Sequence, residues 1–262
     1  MLTLRWAAVK FEGVTGPTGP YVLTNFHNRE AVAACKIMSD KDIGAFSTSK
    51  LDWRPFEDPL DATFADSKAA ANPLPTRLPG RRKGGYARFH GTISTELPRG
   101  RPEIQRTGYA AFRTPDRGRT LFGKALWDID PYAYLALRVK SDGRAYFVNV
   151  QTDSVEPTDI HQHRLFAKRP GEWETVLINW NEFVRTNHGH VVEPQSEMLR
   201  QRVRSIGIGL TDRVPGPFEL CVERIWASNG EGETMTGGIE RFKGSLGSKS
   251  ATSEKAVERN EA

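Results

Sequence analysis

The chain has 262 residues, of which 38% are hydrophobic and 26% are charged, and its formal net charge is +5. These values are ordinary for a globular protein, and the length allows one large domain with tails. Only two cysteines occur, which excludes a disulfide framework, and no apolar run is long enough to span a bilayer. The excess of basic residues is too small to indicate nucleic-acid binding by itself.

Residues 1–20 are predicted to form an N-terminal arm. The first ten residues are rich in apolar and basic side chains, and no acid occurs before Glu12, a pattern that resembles a fragment of a mitochondrial presequence. An ordinary arm is an equally good interpretation. The Gly-Pro-Thr-Gly-Pro run at 16–20 ends any regular structure before the main domain, which we expect to cover residues 21–228.

The first part of this domain is predicted to contain two strands, at 21–26 and 45–53. Between them, Asn28 is a candidate N-cap for a helix that runs through Met38. Residues 55–84 are different, because they contain five prolines and end in a basic triplet. We interpret this stretch as a long surface insertion.

The segment from Tyr132 to Gln151 is the strongest structural signal in the chain. Two β-favouring runs flank the turn sequence Ser141-Asp142-Gly143-Arg144. An Asp-Gly pair between such runs is typical of a β-hairpin, because glycine adopts the positive φ that a primed turn requires. The alternation places Leu135 and Leu137 on one face of the first run and Val148 and Val150 on one face of the second. We therefore predict a hairpin at the centre of a sheet.

Further strands are predicted on both sides of this segment, with one weak helix at 196–203. The expected strands cover 86–93, 107–114, 161–166, 174–179, 205–211 and 218–227. Many short strands with little helix predict an all-β domain, either a β-sandwich or a jelly roll. After Asn229 the composition turns to Gly, Ser, Lys and Glu, so residues 229–262 are predicted to be a disordered C-terminal tail.

Few residues have the pattern of a catalytic or metal site. Asp159, His161 and His163 share one face of a predicted strand and could hold a metal, but their spacing matches no established motif, and solvated histidines are the preferred interpretation. The Gly207-Ile208-Gly209 run lacks the third glycine and the helix of a dinucleotide-binding loop. The tryptophans suit core packing better than ligand binding. We predict no enzyme activity and no cofactor.

Basic residues are concentrated in the first half of the domain. They are Arg77, Arg81, Arg82, Lys83, Arg88, Arg99, Arg101, Arg106, Arg113, Arg117, Arg119 and Lys124. A basic surface attracts anionic lipid or an acidic partner. We therefore take Arg81, Arg82, Lys83 and Arg88 as the candidate membrane or partner surface, with a solvated face whose charges point several ways as the alternative.

Several motifs together resemble the complex I intermediate-associated protein family. The run LRVKSDGRAYFVNVQT at 137–152 is similar to the family's GDGR-x-Y motif, with Ser141 in place of the usual first glycine. The segments at 87–91, 107–110, 171–173, 205–209 and 216–220 resemble other family motifs in the same order. The resemblance covers residues 21 to about 227, although it does not explain the proline-rich insertion.

This resemblance implies a galactose-binding-like jelly roll related to carbohydrate-binding modules. It also implies a non-catalytic mitochondrial assembly factor for respiratory complex I. Its partners would be membrane-arm subunits and other assembly factors, and it would not bind nucleic acid. It would lie in the mitochondrial matrix, in peripheral contact with the anionic inner membrane. Two alternatives stay open from the residues themselves, a carbohydrate-binding module and a metal enzyme using His161 and His163.

Overall fold

The computed structural model describes residues 19–56, 84–121 and 123–230. Most of the predicted N-terminal arm, nearly all of the proline-rich insertion and nearly all of the predicted tail lie outside these ranges. The interpretations of those three segments therefore stay predictions, as does their division from the domain at 21–228.

Fifteen strands and four short helical turns are present in the described residues. In chain order the strands are β1 (Tyr21–Asn25), β2 (Lys36–Ser39), β3 (Thr48–Pro55), β4 (Gly85–Ile93), β5 (Ala110–Arg113), β6 (Arg119–Thr120), β7 (Gly123–Lys124), β8 (Tyr134–Ser141), β9 (Tyr146–Thr152), β10 (Asp159–Arg164), β11 (Trp173–Asn179), β12 (Val184–Asn187), β13 (His190–Val191), β14 (Val203–Leu210) and β15 (Gly216–Ser228). The helix α1 covers Arg29–Ala33, and 3-10 turns cover Asp40–Ile43, Trp180–Glu182 and Arg200–Arg202.

The strands form two large antiparallel sheets that pack face to face. The first sheet has the order β11-β8-β15-β4-β3, and β1 pairs with the second half of β15. The second sheet has the order β13-β12-β10-β9-β14-β5-β2, and β6 and β7 form a separate small hairpin. The prediction of an all-β sandwich with a few short helices is confirmed.

The core lies between the two sheets and follows the period-two alternation of their strands. Leu135, Leu137 and Val139 of β8 are fully buried, and so are Val148 and Val150 of β9. The faces predicted from the sequence are therefore confirmed. Trp127, Trp180 and Trp226 are also buried, which confirms core packing for these three rings, whereas Trp173 is half-buried.

The predicted hairpin, however, is wrong. Strand β8 pairs with β11 and β15 in the first sheet, whereas β9 pairs with β10 and β14 in the second. Gly143 does have the expected positive φ, at 92°, so the chain reverses where predicted. The two strands meet across the core through their apolar faces instead of side by side, because a turn sequence fixes the reversal but not the hydrogen-bond partner.

The predicted helix from Asn28 to Met38 is also partly wrong. The Asn28 side chain accepts a hydrogen bond from the backbone N–H of Ala31 at 2.9 Å, so the N-cap is confirmed. The helix ends at Ala33, because residues 36–39 pair with β5 as the edge strand of the second sheet. Tertiary pairing overrides local helix propensity here. The weak helix at 196–203 is likewise reduced to the 3-10 turn at Arg200–Arg202.

Close backbone contacts explain two glycines of the recognised motifs. A Cβ atom on Gly91 would lie 2.0 Å from the carbonyl oxygen of Thr48, and one on Gly207 would lie 2.6 Å from that of Phe112. Only glycine allows this approach between neighbouring strands without a backbone shift. These two residues therefore act in packing, not in ligand binding.

The sandwich has two ends with different chemistry. Residues 142–145, between β8 and β9, and residues 211–215, between β14 and β15, lie at one end, which we call the clamp end. The pairing of Val203 with Thr152 and of Leu210 with Tyr146 shows that β9 and β14 run from this end to the other. Residues 114–121, 123–128, 153–158 and 200–202 lie at that other end, which we call the basic end.

Candidate functional site

The clamp end is organised by Arg144, the last residue of the turn at 141–144. Its Nη2 and Nε atoms donate to the two carboxylate oxygens of Asp212 at 2.7 and 2.9 Å. Its Nη1 atom donates to the carbonyl oxygens of Pro217 at 2.9 Å and of Gly216 at 3.2 Å, and Nη2 also donates to that of Val214. Burial alone would lower the pKa of Arg144, but Asp212 raises it above its ordinary value. This bidentate contact fastens the β14–β15 loop to the β8–β9 turn.

Asp142 holds the same turn from its other side. One carboxylate oxygen accepts hydrogen bonds from the Tyr146 hydroxyl at 3.0 Å and from the Glu219 backbone N–H at 2.8 Å. The other accepts from the backbone N–H of Arg144 at 2.9 Å. Burial and the charge of Asp142 raise the pKa of Tyr146 well above its ordinary value, so the hydroxyl stays a donor. The motif that resembles GDGR-x-Y thus has a structural role in this chain.

A buried carboxylate at the clamp end belongs to Asp40, which is 4% exposed. It accepts hydrogen bonds from the backbone N–H groups of Ser47 at 2.9 Å, Gly108 at 2.6 Å and Tyr109 at 3.2 Å, and from the Ser47 hydroxyl at 3.0 Å. These four donors replace the water that the carboxylate loses on burial. Sequence reasoning did not identify Asp40, because its donors lie up to 69 residues away.

The outer face of the first sheet carries charged side chains that already have partners. Arg88, predicted as part of the membrane or partner surface, lies there and donates from Nε to Glu219 at 2.7 Å. Next to it, His90 Nε2 lies 2.8 Å from the Asp52 carboxylate, and this contact lowers the pKa of Asp52. Arg88 is therefore a paired residue of a mixed-charge face. The other three predicted residues, Arg81, Arg82 and Lys83, lie outside the described residues.

Aromatic rings cluster at one side of the same outer face. Tyr86 and Trp173 lie 5.2 Å apart between ring centroids, and Phe56 lies 5.4 Å from Tyr86 and 5.7 Å from Trp173. His27 borders this group and lies 3.1 Å from the buried carboxylate of Glu223. Half-buried aromatic rings beside polar groups are a common setting for recognition of a partner or a sugar.

The basic end holds two carboxylates that each contact two basic side chains. Asp116 pairs with Arg113 and Arg204, at 2.8 and 2.7 Å, and Asp153 pairs with Lys124 and Arg202, at 2.7 and 2.6 Å. These hydrogen bonds, chiefly from Arg204 and Lys124 respectively, lower the pKa of both carboxylates. Each of these two acids contacts one more cation than it needs for neutrality, so the two clusters together carry a net positive charge.

Two further arginines at the basic end have no acid partner among the residues that the structure describes. Arg117 donates to the carbonyl oxygen of Leu126 at 3.0 Å, and its guanidinium lies 5.6 Å from the centre of the Trp127 ring. Arg119 belongs to the exposed β6–β7 hairpin. Their positions in the fold could not be read from the sequence, which gave only a general excess of basic residues.

The histidines considered for a metal site lie on β10 beside the core. His161 is 4% exposed, and burial lowers its pKa below the ordinary value, with the charge of Asp159 opposing that effect. His163 packs against the rings of Phe166 and Phe183 instead of facing a common centre with His161. Within the described ranges, no group of three or more His, Cys, Asp and Glu side chains could hold a metal ion. The predicted solvated position is wrong for His161, which is buried.

The fold and these sites define a β-sandwich protein with a buried arginine clamp at one end and charged outer surfaces. Comparison with protein families identifies the family, since the model described as Complex I intermediate-associated protein 30 (CIA30) matches residues 24–222. The chain belongs to this family. The resemblance drawn from its motifs is thereby confirmed.

Relatives with this name occur in several organisms. The Neurospora crassa protein named "Complex I intermediate-associated protein 30, mitochondrial" is 60% identical over 221 residues, which cover 84% of this chain and 78% of that protein. The Mus musculus protein of the same name is 29% identical over 142 residues, covering 53% of this chain and 43% of the mouse protein.

Among solved structures, the chain is similar to a family 11 carbohydrate-binding module from Clostridium thermocellum. The TM-score is 0.46 at 14% identity, and the match covers 80% of this chain and 96% of that module. The described residues contain no helix with the length and apolar character needed to cross a membrane.

Proposed function

We propose that this protein is an assembly factor for mitochondrial respiratory complex I. It binds membrane-arm intermediates together with other assembly factors, in the matrix and against the inner membrane. The observation that carries the proposal is family membership over residues 24–222, together with 60% identity to a relative named for a complex I intermediate.

The chemistry of the described residues supports binding instead of catalysis. Burial raises the pKa of the Cys35 thiol to about 11 and that of Cys221 to about 12, so neither is a thiolate near neutral pH. The half-buried Arg144 and the buried Asp40 are saturated with internal hydrogen bonds. Such groups stabilise the shape of the sandwich and leave its outer surfaces for partners.

A gene deletion with complementation tests this proposal. Cells that lack their own copy should accumulate membrane-arm intermediates and have little mature complex I on native gels, and expression of this chain should restore the mature complex. Normal levels of mature complex I without the protein would contradict the assembly role.

The basic triplet Arg81, Arg82 and Lys83 is proposed as a contact for the anionic membrane. Each basic residue near an anionic bilayer contributes about 1 kcal/mol to binding. Changing all three to glutamine should therefore weaken flotation with anionic vesicles at low salt, where screening is weakest. A matched triple change at Arg99, Arg101 and Arg106 is the control. Equal flotation of wild type and the 81–83 variant would reject this contact.

Sugar binding is a second candidate function, favoured by the cluster of Tyr86, Trp173 and Phe56 on the outer face of the first sheet. Aromatic rings stack on sugars through their apolar faces. Calorimetric titration with a panel of oligosaccharides should then give heat that is lost in the Trp173→Ala variant. The absence of heat with every sugar would remove this candidate and leave the assembly role in place.

A further inference from the structure

We propose that the basic end of the sandwich is a docking surface for an anionic lipid bilayer, in which Leu121 and Val155 enter the interfacial layer. This inference deepens the proposed function, on which it rests, because it names the part of the protein that faces the membrane. It differs from the contact proposed for residues 81–83, which lie on another segment of the chain.

The first observation is the exposure of two apolar side chains at loop tips. Leu121 is 99% exposed in the turn of the β6–β7 hairpin, and Val155 is 103% exposed in the loop that follows β9. The two loops are neighbours, since Lys124 of the hairpin contacts Asp153 of the other loop at 2.7 Å. In the isolated protein these two aliphatic side chains stay in water and contribute no stabilisation through burial. A bilayer interface would bury both.

The second observation is the charge around these tips. Arg117 and Arg119 precede Leu121, and among the described residues neither has a carboxylate partner. The two carboxylates closest to this hairpin in the ion-pair network, Asp116 and Asp153, are each neutralised by two basic side chains. Glu156, exposed next to Val155, is the remaining acid of its loop. Asp128, also exposed, is the remaining acid of residues 114–128. Counted with Arg113, Arg202 and Arg204, which pair with the two neutralised carboxylates, six basic residues face four acids around the apolar tips.

The shape of this end favours a bilayer over a protein partner. A stable protein interface buries about 800 Å² on each side around a packed apolar centre. The basic end instead presents single aliphatic side chains on separate loops, surrounded by cations. That arrangement suits a soft, negatively charged interface in which each tip is buried separately and the cations stay at the level of the headgroups.

The test is binding of the pure full-length protein to vesicles, measured by flotation. Vesicles of phosphatidylcholine alone are compared with vesicles that also contain cardiolipin. We expect wild type to bind the cardiolipin vesicles and to dissociate as salt is raised. The variant carrying Leu121→Asp and Val155→Asp should bind about a hundredfold more weakly, since burying one aliphatic side chain favours binding by roughly tenfold.

Charge and control variants complete the experiment. Changing Arg117 and Arg119 to glutamine should weaken binding to cardiolipin vesicles by about fivefold per residue. The matched control is Ile43→Asp with Leu97→Asp, two apolar residues that are 51% and 55% exposed at the clamp end. The control should bind as wild type does. Thermal melting shows that each variant is folded.

Three results would overturn the inference. Wild-type affinity of the Leu121→Asp, Val155→Asp variant would show that the tips stay outside the bilayer. Failure of the wild type to bind any vesicle would remove the membrane as the occupant. Reduced rescue of complex I by a variant with unchanged vesicle binding would assign the basic end to a protein partner. In all three cases the assembly role is judged separately by complementation with the wild-type chain.

Discussion

The two ends of the sandwich use arginine in opposite ways. At the clamp end Arg144 is 14% exposed in its side chain, its partner Asp212 is 10% exposed, and the guanidinium also binds backbone carbonyl groups of the β14–β15 loop. At the basic end the cations are the exposed partners: Lys124 and Arg202 are 51% and 56% exposed, whereas Asp153 is 16% exposed. A buried pair left with one member costs several kcal/mol, whereas an exposed pair contributes little. The clamp end is therefore expected to stabilise the fold more than the basic end does.

The largest expected effect is that of removing the clamp. The Arg144→Ala variant leaves Asp212 buried without a counter-ion and leaves several carbonyl oxygens without a donor, so the free energy of unfolding should fall by about 3–5 kcal/mol. Chemical denaturation measures this value. Arg101→Ala, which removes the exposed contacts with Glu103 and with the carbonyl oxygen of Ile43, is the matched control and should change stability by less than about 1 kcal/mol. Equal losses of unfolding free energy in Arg144→Ala and Arg101→Ala would show that the clamp contributes no more to stability than an exposed ion pair.

A smaller loss is expected from the buried carboxylate of Asp40 at the clamp end. Asp40→Ala removes the acceptor of three backbone N–H groups and one hydroxyl, which should cost about 2–3 kcal/mol because buried donors are left unsatisfied. Asp42→Ala, in the same 3-10 turn but exposed, should cost about 1 kcal/mol or less. Urea denaturation measures the free energy of unfolding of both variants. A larger loss in Asp42→Ala than in Asp40→Ala would contradict this account.

Between the two ends, buried His161 should make stability depend on pH. Burial lowers the pKa of His161 in the folded state, with Asp159 opposing and Arg185 adding to the shift. The unfolded state, with a histidine pKa of about 6.5, then binds the proton more readily, so stability falls as pH drops below that value. The His161→Phe variant should lose less stability than wild type over this range. His188→Phe, at an exposed position, should keep the pH dependence of the wild type. A weaker pH dependence in that variant would assign the effect to a group other than His161.

The smallest effect on stability is expected at the basic end. Arg119→Glu changes an exposed residue without a carboxylate partner among the described residues, so the free energy of unfolding should change by less than about 0.5 kcal/mol. The same variant should nevertheless bind anionic vesicles less tightly. A stability loss comparable to that of Arg144→Ala would show that the basic end has a structural role.

The sequence predicted the strands better than their pairing. The alternation in β8 and β9 identified both strands and their buried faces, because that pattern is a local property. Their placement in different sheets depends on distant strands, since β8 pairs with β15 and β9 pairs with β14. The Arg144 contact with Asp212 likewise joins residues 68 positions apart. No local pattern shows that contact. For the same reason sequence reasoning found the basic composition of the chain but not the end of the sandwich to which Arg117 and Arg119 belong.

The most direct test of the account is to alter the basic end in cells without altering the fold. The only copy of the gene would carry Leu121→Asp, Val155→Asp and Arg119→Glu, and mature complex I would be measured on native gels together with the amount of this protein. We predict a normal amount of the protein and a clear loss of mature complex I. Normal complex I with a stable variant protein would contradict the claim that this end is where the protein docks.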